Sequence, residues 1–282
     1  MHQQTSEQQP RLTFIGGGNM GGSLIQGLLQ RGYAADRIGL SDPHPPTREH
    51  YAQLGLRTAA GASELCGDAE VILLAVKPQI MPQLMPQLAP VINDRQLLIS
   101  VAAGITVSFM QHYCGPRQPV VRAMPNTPAL IGAGITGLHA STAVSPTQRQ
   151  QADAILSAVG ETLWLDDEAH MDAVTAVSGS GPAYFFLLVE ALTAAGVAQG
   201  LESAAAARLA LSTGYGAMSM ARQSDVDAAE LRRRVTSPGG TTAAALQLLE
   251  NRGLREMMRE AVAAATRRGG ELAAAAENQI TE

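Results

Sequence analysis

The 282-residue chain is almost without lysine: of its 20 basic residues 19 are arginines, and only Lys77 carries an ammonium. Any chemistry that needs a lysine in the C-terminal two thirds is therefore excluded. Cysteine is nearly as scarce. Cys66 and Cys114 stand alone, with no C-x-x-C pair. This excludes a disulfide scaffold and a cysteine metal site and fits a reducing, cytoplasmic compartment. No metal is expected. Net charge is −5, and the one basic cluster is Arg232-Arg233-Arg234. No nucleic-acid-binding patch results; the cluster reads as a solvated helix face or an intersubunit contact. The longest apolar run, residues 183–197, is broken by Glu190 and bounded by Gly181-Pro182 and Gly200. It is short for a membrane span and reads as a helix buried on most sides, between subunits, with no membrane involved. Residues 1–10 are polar and lack an apolar core, so they read as a frayed tail and not a signal peptide. Aromatic residues make up only 4%. There is no internal repeat.

Against these absences, hydrophobic residues reach 46%, ample for a core in one large or two ordinary domains. Leu12-Thr13-Phe14-Ile15 is an apolar, β-prone run that ends in Gly16-Gly17-Gly18, and a helical pattern starts at Asn19-Met20-Gly21. Gly16, Gly18 and Gly21 have the spacing G-x-G-x-x-G, directly between strand and helix. The first glycine makes the tight turn, the second admits a pyrophosphate to the backbone, and the third lets helix and strand pack closely. The helix N-terminus offers free N–H groups to the phosphates. The alternative is a glycine-rich connection without a ligand.

Asp42 follows the second strand, 21 positions after Gly21. An acidic residue near that offset binds the adenosine ribose. Asp42 favours NADH by repelling a 2′-phosphate; Ser41 and Arg48 serve NADPH if Asp42 turns away; or Asp42 is only a turn residue before Pro43. Strands are expected at 12–15, 37–41, 55–58, 71–76, 97–102, 119–122, 135–139 and 162–165, with helices at 19–30, up to 54, and 146–159. A helical turn is expected at 63–66. The run VILLAV at 71–76 suits a strand covered on both faces. It ends in Lys77-Pro78, at the carboxyl end of a strand, where ligands bind in open α/β sheets. After Asp167 the strand signal stops, and helices are expected at 169–177, 181–199, 202–222, 227–234, 241–250 and 253–277. The fold class is α/β: an N-terminal Rossmann-like, doubly wound parallel sheet over residues 1–167, then an all-α domain over 168–282. The abundance of alanine after residue 169 allows close helix packing.

Two glycine-rich breaks punctuate the helical half, Ser178-Gly179-Ser180-Gly181-Pro182 and Thr236-Ser237-Pro238-Gly239-Gly240-Thr241-Thr242. Each is expected to open a helix. Free amides with hydroxyls make an anion site without a cation; plain N-capping is the alternative. Capping needs one hydroxyl residue, whereas the second segment has four, which favours a carboxylate site. Candidate acids in the helical half are few: His170, Tyr184 and Tyr215. A substrate already cationic at the reacting centre, such as a protonated imine, needs no strong acid there. Orientation and carboxylate anchoring then supply most of the catalysis.

Together, FIGGGNMG at 14–21, AVKPQ at 75–79, RAMPNTP at 122–128, AVSGSGPAY at 176–184 and VTSPGGTT at 235–242 resemble the pyrroline-5-carboxylate reductase family, in the right order over residues 11 to about 275. The resemblance implies hydride transfer from NADPH or NADH to the C=N carbon of 1-pyrroline-5-carboxylate, giving L-proline. It implies a substrate carboxylate held by Ser237, Gly240, Thr241 and Thr242, with Thr242 at the ring nitrogen and Ser237 and Thr242 as the catalytic pair. The cofactor would lie against Gly16, Gly18, Asn19, Met20, Gly21, Ser41, Asp42, Val76, Lys77, Pro78, Met124 and Asn126. It also implies a homodimer with interlocked helical domains, dimers that assemble into a decamer, and a site shared between subunits. Relatives often have Glu about twelve residues before the loop serine, where this chain has Asp225; Asp225 is left out of the site. A β-hydroxyacid dehydrogenase-like oxidoreductase is the first alternative. It resembles the same two-part architecture but uses a lysine on the long helix, and no lysine follows Lys77. A non-catalytic dinucleotide-binding protein is the second; it has no reason for the 237–242 loop.

Overall fold

The structure is a computed structural model and describes residues 9–278. The tail expectation for residues 1–10 thus lies, but for Gln9 and Pro10, outside the described residues. Those two are tied down: the Gln9 side chain accepts from the Ala34 amide and donates to the Gly32 carbonyl, and the Tyr33 hydroxyl donates to the Pro10 carbonyl.

By contacts the chain forms two units. The first runs through Ser180 and takes up the chain again from Ala264; the second is Gly181–Ala263. The first unit holds an eight-stranded sheet in the order β3-β2-β1-β4-β5-β6-β7-β8. The strands are β1 (Leu12–Ile15), β2 (Ile38–Ser41), β3 (Arg57–Ala59), β4 (Val71–Leu74), β5 (Leu97–Ser100), β6 (Val120–Met124), β7 (Gly134–Ala140) and β8 (Gly160–Trp164). Its crossover helices are α1 (Asn19–Gln30), α2 (Pro45–Gln53), α3 (Met81–Leu88), α4 (Val107–Cys114) and α5 (Pro146–Leu156). The period-two alternation of the strands divides the core. Leu12, Phe14, Ile38, Leu40, Val71 and Leu73 pack on one face; Ile15, Ile72, Leu74 and Leu98 pack on the other. Both faces are covered over the centre of the sheet, so β1, β4 and β5 are buried along their whole length, as their apolar runs imply.

Three features depart from the sequence expectations. First, the sheet is not wholly parallel: β6 and β7 pair antiparallel. Residues 125–133 between them hold only a 3-10 turn, Thr127–Ile131, and a parallel return needs a dozen or more residues. Second, α3 and α4 have no counterpart in those expectations. Pro86 sits inside α3, and burial of Met81, Leu84, Met85 and Leu88 outweighs it. The turn at 62–68 stays a turn, without a helical hydrogen-bond ladder. Third, the segment around Gly179 does not open a new helix. After α6 (Met171–Val174), residues Thr175–Gly179 form a π-turn, and the Ser180 amide donates to the Thr175 carbonyl at 2.8 Å. The helical path continues into α7 (Gly181–Ala198), a run of 31 residues from Glu168. That run is long and apolar enough to cross a membrane by length and composition alone, unlike the shorter stretch counted from sequence.

The first unit gains the α6 segment and the last turns of the final helix through polar locks. Arg122, buried on β6, donates to Glu168 at 3.1 Å and to Asp172 at 3.3 Å. Glu168 also accepts from the Val107 amide at the start of α4. The hydroxyls of Thr106 and Ser108 both donate to Glu277, near the end of α11 (Leu254–Asn278). A methyl group on Gly269 of that helix would press on Asp172. The second unit contains α7, α8 (Ser203–Gln223), α9 (Ala228–Arg234), α10 (Thr241–Asn251) and the start of α11. Within it α7 and α8 pack together, with Gly196 letting Ala206 come close.

Candidate functional site

Strand β1 pairs with β2 on one side and β4 on the other, so the chain reverses its direction of sheet growth at β1. A crevice at the carboxyl ends of strands opens at such a switch point, and the glycine loop stands there. Gly16 has φ +98°, and a Cβ on it would lie 2.7 Å from the Ala75 carbonyl oxygen at the end of β4. A Cβ on Gly21 would lie 2.2 Å from the Gly16 carbonyl oxygen. A Cβ on Gly18 would meet nothing within 4 Å. The three fingerprint glycines thus separate by role: Gly16 turns, Gly21 packs, and Gly18 faces open space. Gly18 is also the N-cap of α1 and gives it no side-chain cap. The first amides of a helix have no intrahelical acceptor, so those around Asn19, Met20 and Gly21 are available to an anion. These residues fit a dinucleotide pyrophosphate. A groove of about 590 Å³ runs from Gly17, Gly18 and Asn19 along α1 to Gln30.

Around the loop, Gly16 donates to the Ser41 carbonyl at 2.9 Å, and Gly17 donates to Asp42 Oδ2 at 2.8 Å. Ser41 Oγ is buried and has no hydrogen-bond partner among the described residues. Arg48 Nη1 donates to the Asp42 carbonyl at 2.7 Å. Tyr51 is buried beside α1, and burial followed by the Asp42 charge raises its pKa above the ordinary value. At the next strand end Val76 packs near Gly16, while Lys77 is exposed and precedes the 3-10 turn Pro78–Ile80. At the end of β6, the Asn126 side chain is spent inside the protein: it donates to the Ser178 carbonyl at 3.2 Å and accepts from the Ile135 amide at 3.0 Å. Ser178 lies in the π-turn, whose irregular ladder frees that carbonyl. A Cβ on Gly179 would lie 2.7 Å from Met124 Cε. The Ser178 hydroxyl donates back to Val174, so this segment holds the strand end and is not an open anion site.

The second break behaves differently. Gly239 has φ +69°, Gly240 is the N-cap of α10, and no side chain caps the helix. The Gly240 amide donates to the Ser237 carbonyl at 3.1 Å, closing a tight turn. Plain capping would put a hydroxyl on the amide of the second or third helical residue, and none is there. Ser237 and Thr241 are exposed and Thr242 is half-buried. Thr236 donates instead to the Arg232 carbonyl. The basic cluster before the loop is fully paired: Arg232 with Glu250, Arg233 and Arg234 with Glu230. Glu230 and Glu250 thus take up the cluster within the chain, and Glu250 also pairs with Arg255. Among the described residues no group of His, Cys, Asp and Glu has metal-binding geometry.

Comparison with known proteins shows which chains this one is similar to. The family model for pyrroline-5-carboxylate reductase dimerisation matches residues 168–272, and that for NADP oxidoreductase, coenzyme F420-dependent, matches residues 11–104. The chain is 49% identical over 265 residues to the pyrroline-5-carboxylate reductase of Pseudomonas aeruginosa, covering 94% of this chain and 97% of that one. The structure of a pyrroline-5-carboxylate reductase from Coxiella burnetii superposes with a TM-score of 0.89 at 37% identity, covering 93% of this chain and 98% of the other. That of the Plasmodium falciparum pyrroline carboxylate reductase with NADP bound does so with a TM-score of 0.82 at 30% identity, covering 94% and 98%.

Proposed function

The chain belongs to the pyrroline-5-carboxylate reductase family, and from that premise we propose how its residues carry out the NAD(P)H-dependent reduction of 1-pyrroline-5-carboxylate to L-proline, the last step of proline biosynthesis. One observation carries the reading beyond family membership. Two of the helix N-termini without a side-chain cap follow glycine-rich turns, and their surroundings differ: one is a glycine loop open at Gly18, the other a turn at 237–242 whose hydroxyls have no hydrogen-bond partner among the described residues.

The first suits a diphosphate. The amides at Gly18, Asn19, Met20 and Gly21 face the negative charge, with Gly16 shaping the turn; Ser41 and Asp42 flank the adenosine side, and Val76, Lys77, Pro78, Met124 and Asn126 line the nicotinamide side. When bound, the dinucleotide supplies the hydride. The second suits a carboxylate. Gly240 shapes the turn, the Thr241 and Thr242 amides and the Ser237 and Thr241 hydroxyls hold the carboxylate, and Thr242 Oγ1 orients the ring nitrogen. Because the imine is protonated before reduction, no strong acid is required at the carbon that accepts hydride, consistent with the paucity of histidine, tyrosine and lysine there. Ser237 and Thr242 act by holding the ring in one orientation.

We keep the functional division at Asp167, with dinucleotide binding before it and substrate binding and dimerisation after it, supported by the dimerisation match that begins at residue 168. The protein oligomerises through this helical half. The finer assembly follows from the same reading: an interlocked dimer in which α7 faces a partner subunit and not lipid, dimers built into a decamer, and a cytoplasmic location supported by two free thiols. The test is initial rate with 1-pyrroline-5-carboxylate, run with NADPH and with NADH. Substrate-dependent oxidation of either is expected; oxidation of neither overturns the reading.

A further inference from the structure

The glycine fingerprint leaves position 17 variable, yet Gly17 is held from two sides. Its amide donates to Asp42 Oδ2 at 2.8 Å. A Cβ on it would lie 2.7 Å from Thr47 Cγ2 and 3.1 Å from a Leu40 methyl. Asp42 itself is 8% exposed, and each of its polar groups is used within the chain. Oδ1 accepts from the His44 amide at 2.8 Å, the backbone amide donates to Ala59 at 3.1 Å, and the carbonyl accepts from Arg48 at 2.7 Å. A carboxylate that selects between ribose hydroxyls and a 2′-phosphate must present its oxygens outward. This one turns both toward backbone amides, and Arg48 holds its backbone carbonyl.

We propose that Asp42 is a positioning residue for the glycine loop, through the Gly17 amide, and not the group that discriminates NADH from NADPH. It pins the middle of the loop against β2 and α2, so that Gly16 keeps its turn and Gly18 keeps its open face toward the pyrophosphate. The proposal rests on the dinucleotide reading above. Its consequence differs from that of a ribose-reading carboxylate. Removing a discriminating acid trades one cofactor for the other. Removing a loop-holding acid weakens both together, because the pyrophosphate is common to both.

The experiment is fluorescence titration of NADPH and of NADH against wild-type protein, Asp42→Asn and Asp42→Ala, with peptide-level hydrogen exchange over residues 12–24 of the cofactor-free proteins. A lost hydrogen bond to a charged group predicts that Asp42→Ala weakens both cofactors about tenfold, and the ratio of the two affinities stays within about threefold. Asp42→Asn, which keeps one acceptor of the same shape, loses less. In steady state the cofactor KM rises in step while kcat changes by less than about threefold. Exchange at the glycine loop accelerates before any cofactor is added. A variant that binds NADPH about tenfold tighter while losing NADH overturns the proposal, as does unaltered loop exchange. If Asp42→Ala does not fold, Asp42→Asn carries the same ratio test. Wild-type protein that binds neither dinucleotide overturns the functional reading itself, an outcome distinct from a changed ratio in the variants.

Discussion

One added methyl group separates two outcomes in the glycine loop. On Gly21 it would lie 2.2 Å from a backbone oxygen that cannot yield. Gly21→Ala is therefore expected to destabilise the cofactor-free protein by about 1–3 kcal/mol, as overpacking does. On Gly18, with φ −67°, it meets open space. Gly18→Ala should leave unfolding in urea within about 0.5 kcal/mol of wild type while weakening dinucleotide affinity about tenfold or more, measured by titration. Equal effects on stability would sink the division of roles. At the second helix N-terminus, Thr242→Ala is expected to lower kcat/KM for 1-pyrroline-5-carboxylate by about ten- to a hundredfold, the scale of a hydrogen bond to a charged substrate; an unaltered value would remove Thr242 from the site. The thiols give a pH signature. Burial pushes Cys66 up to about 11, helped by the Asp68 charge, and burial alone pushes Cys114 up to about 11, from an ordinary 9.0. In the folded state the proton is held over that interval, whereas the unfolded chain releases it. Stability is therefore constant below about pH 9 on this account and falls as pH rises toward 11. Denaturation midpoints of wild type and a Cys66→Ser, Cys114→Ser double variant over that range check the sign: the wild type should show the steeper decline.

At the scale of elements, the first unit depends on what β6 carries. Its Arg122 is buried and bridges Glu168 and Asp172, and α6 lies so close to β7 that a Cβ on Gly137 would touch Val174. Arg122→Met strips both carboxylates of their partner and leaves the α4 amide dependent on a destabilised Glu168. A loss of about 3 kcal/mol in unfolding free energy is expected, toward the lower end of the range for a broken buried pair, because the carboxylates keep some access to water. A loss under about 1 kcal/mol would show that the cluster is not what fixes this segment. The π-turn belongs to the same device. Its freed carbonyl holds Asn126, so the strand end lining the expected nicotinamide pocket is set by an irregularity in a helix 52 residues further along the chain. A Ser/Gly-rich stretch reads equally as a helix opening or as a bulge in a helix. Only the strand end beneath it decides between them.

For the whole molecule, the telling feature is apolar surface. Phe185, Phe186, Leu187 and Leu188 are all exposed in a single chain, and consecutive residues point around the entire circumference of α7. A soluble monomer does not leave such a patch in water. Phe186, 70% exposed, is a suitable probe. Phe186→Asp is expected to shift the native mass read by light scattering toward the monomer and to abolish reductase activity, with the far-ultraviolet dichroism of the sheet unit retained. A variant of native mass would show that this face is covered by something other than a second copy.

The sequence alone determined the glycine loop and its neighbours, the two-faced burial of the strands, the change from sheet to helices, and the unusual 237–242 loop. Each depends on the chain's local period and on residue types whose backbone freedom or hydrogen bonding is intrinsic. The tertiary structure decided the reversed β7, the inward turn of Asp42, the continuous helix through Gly179 and the return of α11 to Thr106 and Ser108. Periodicity specifies which face of an element must be covered; it does not name the element that covers it. Likewise, a carboxylate at the end of a strand is compatible with a ligand or with a neighbouring amide, and the choice is made by the two backbone N–H groups that the fold brings within 2.8 Å of it.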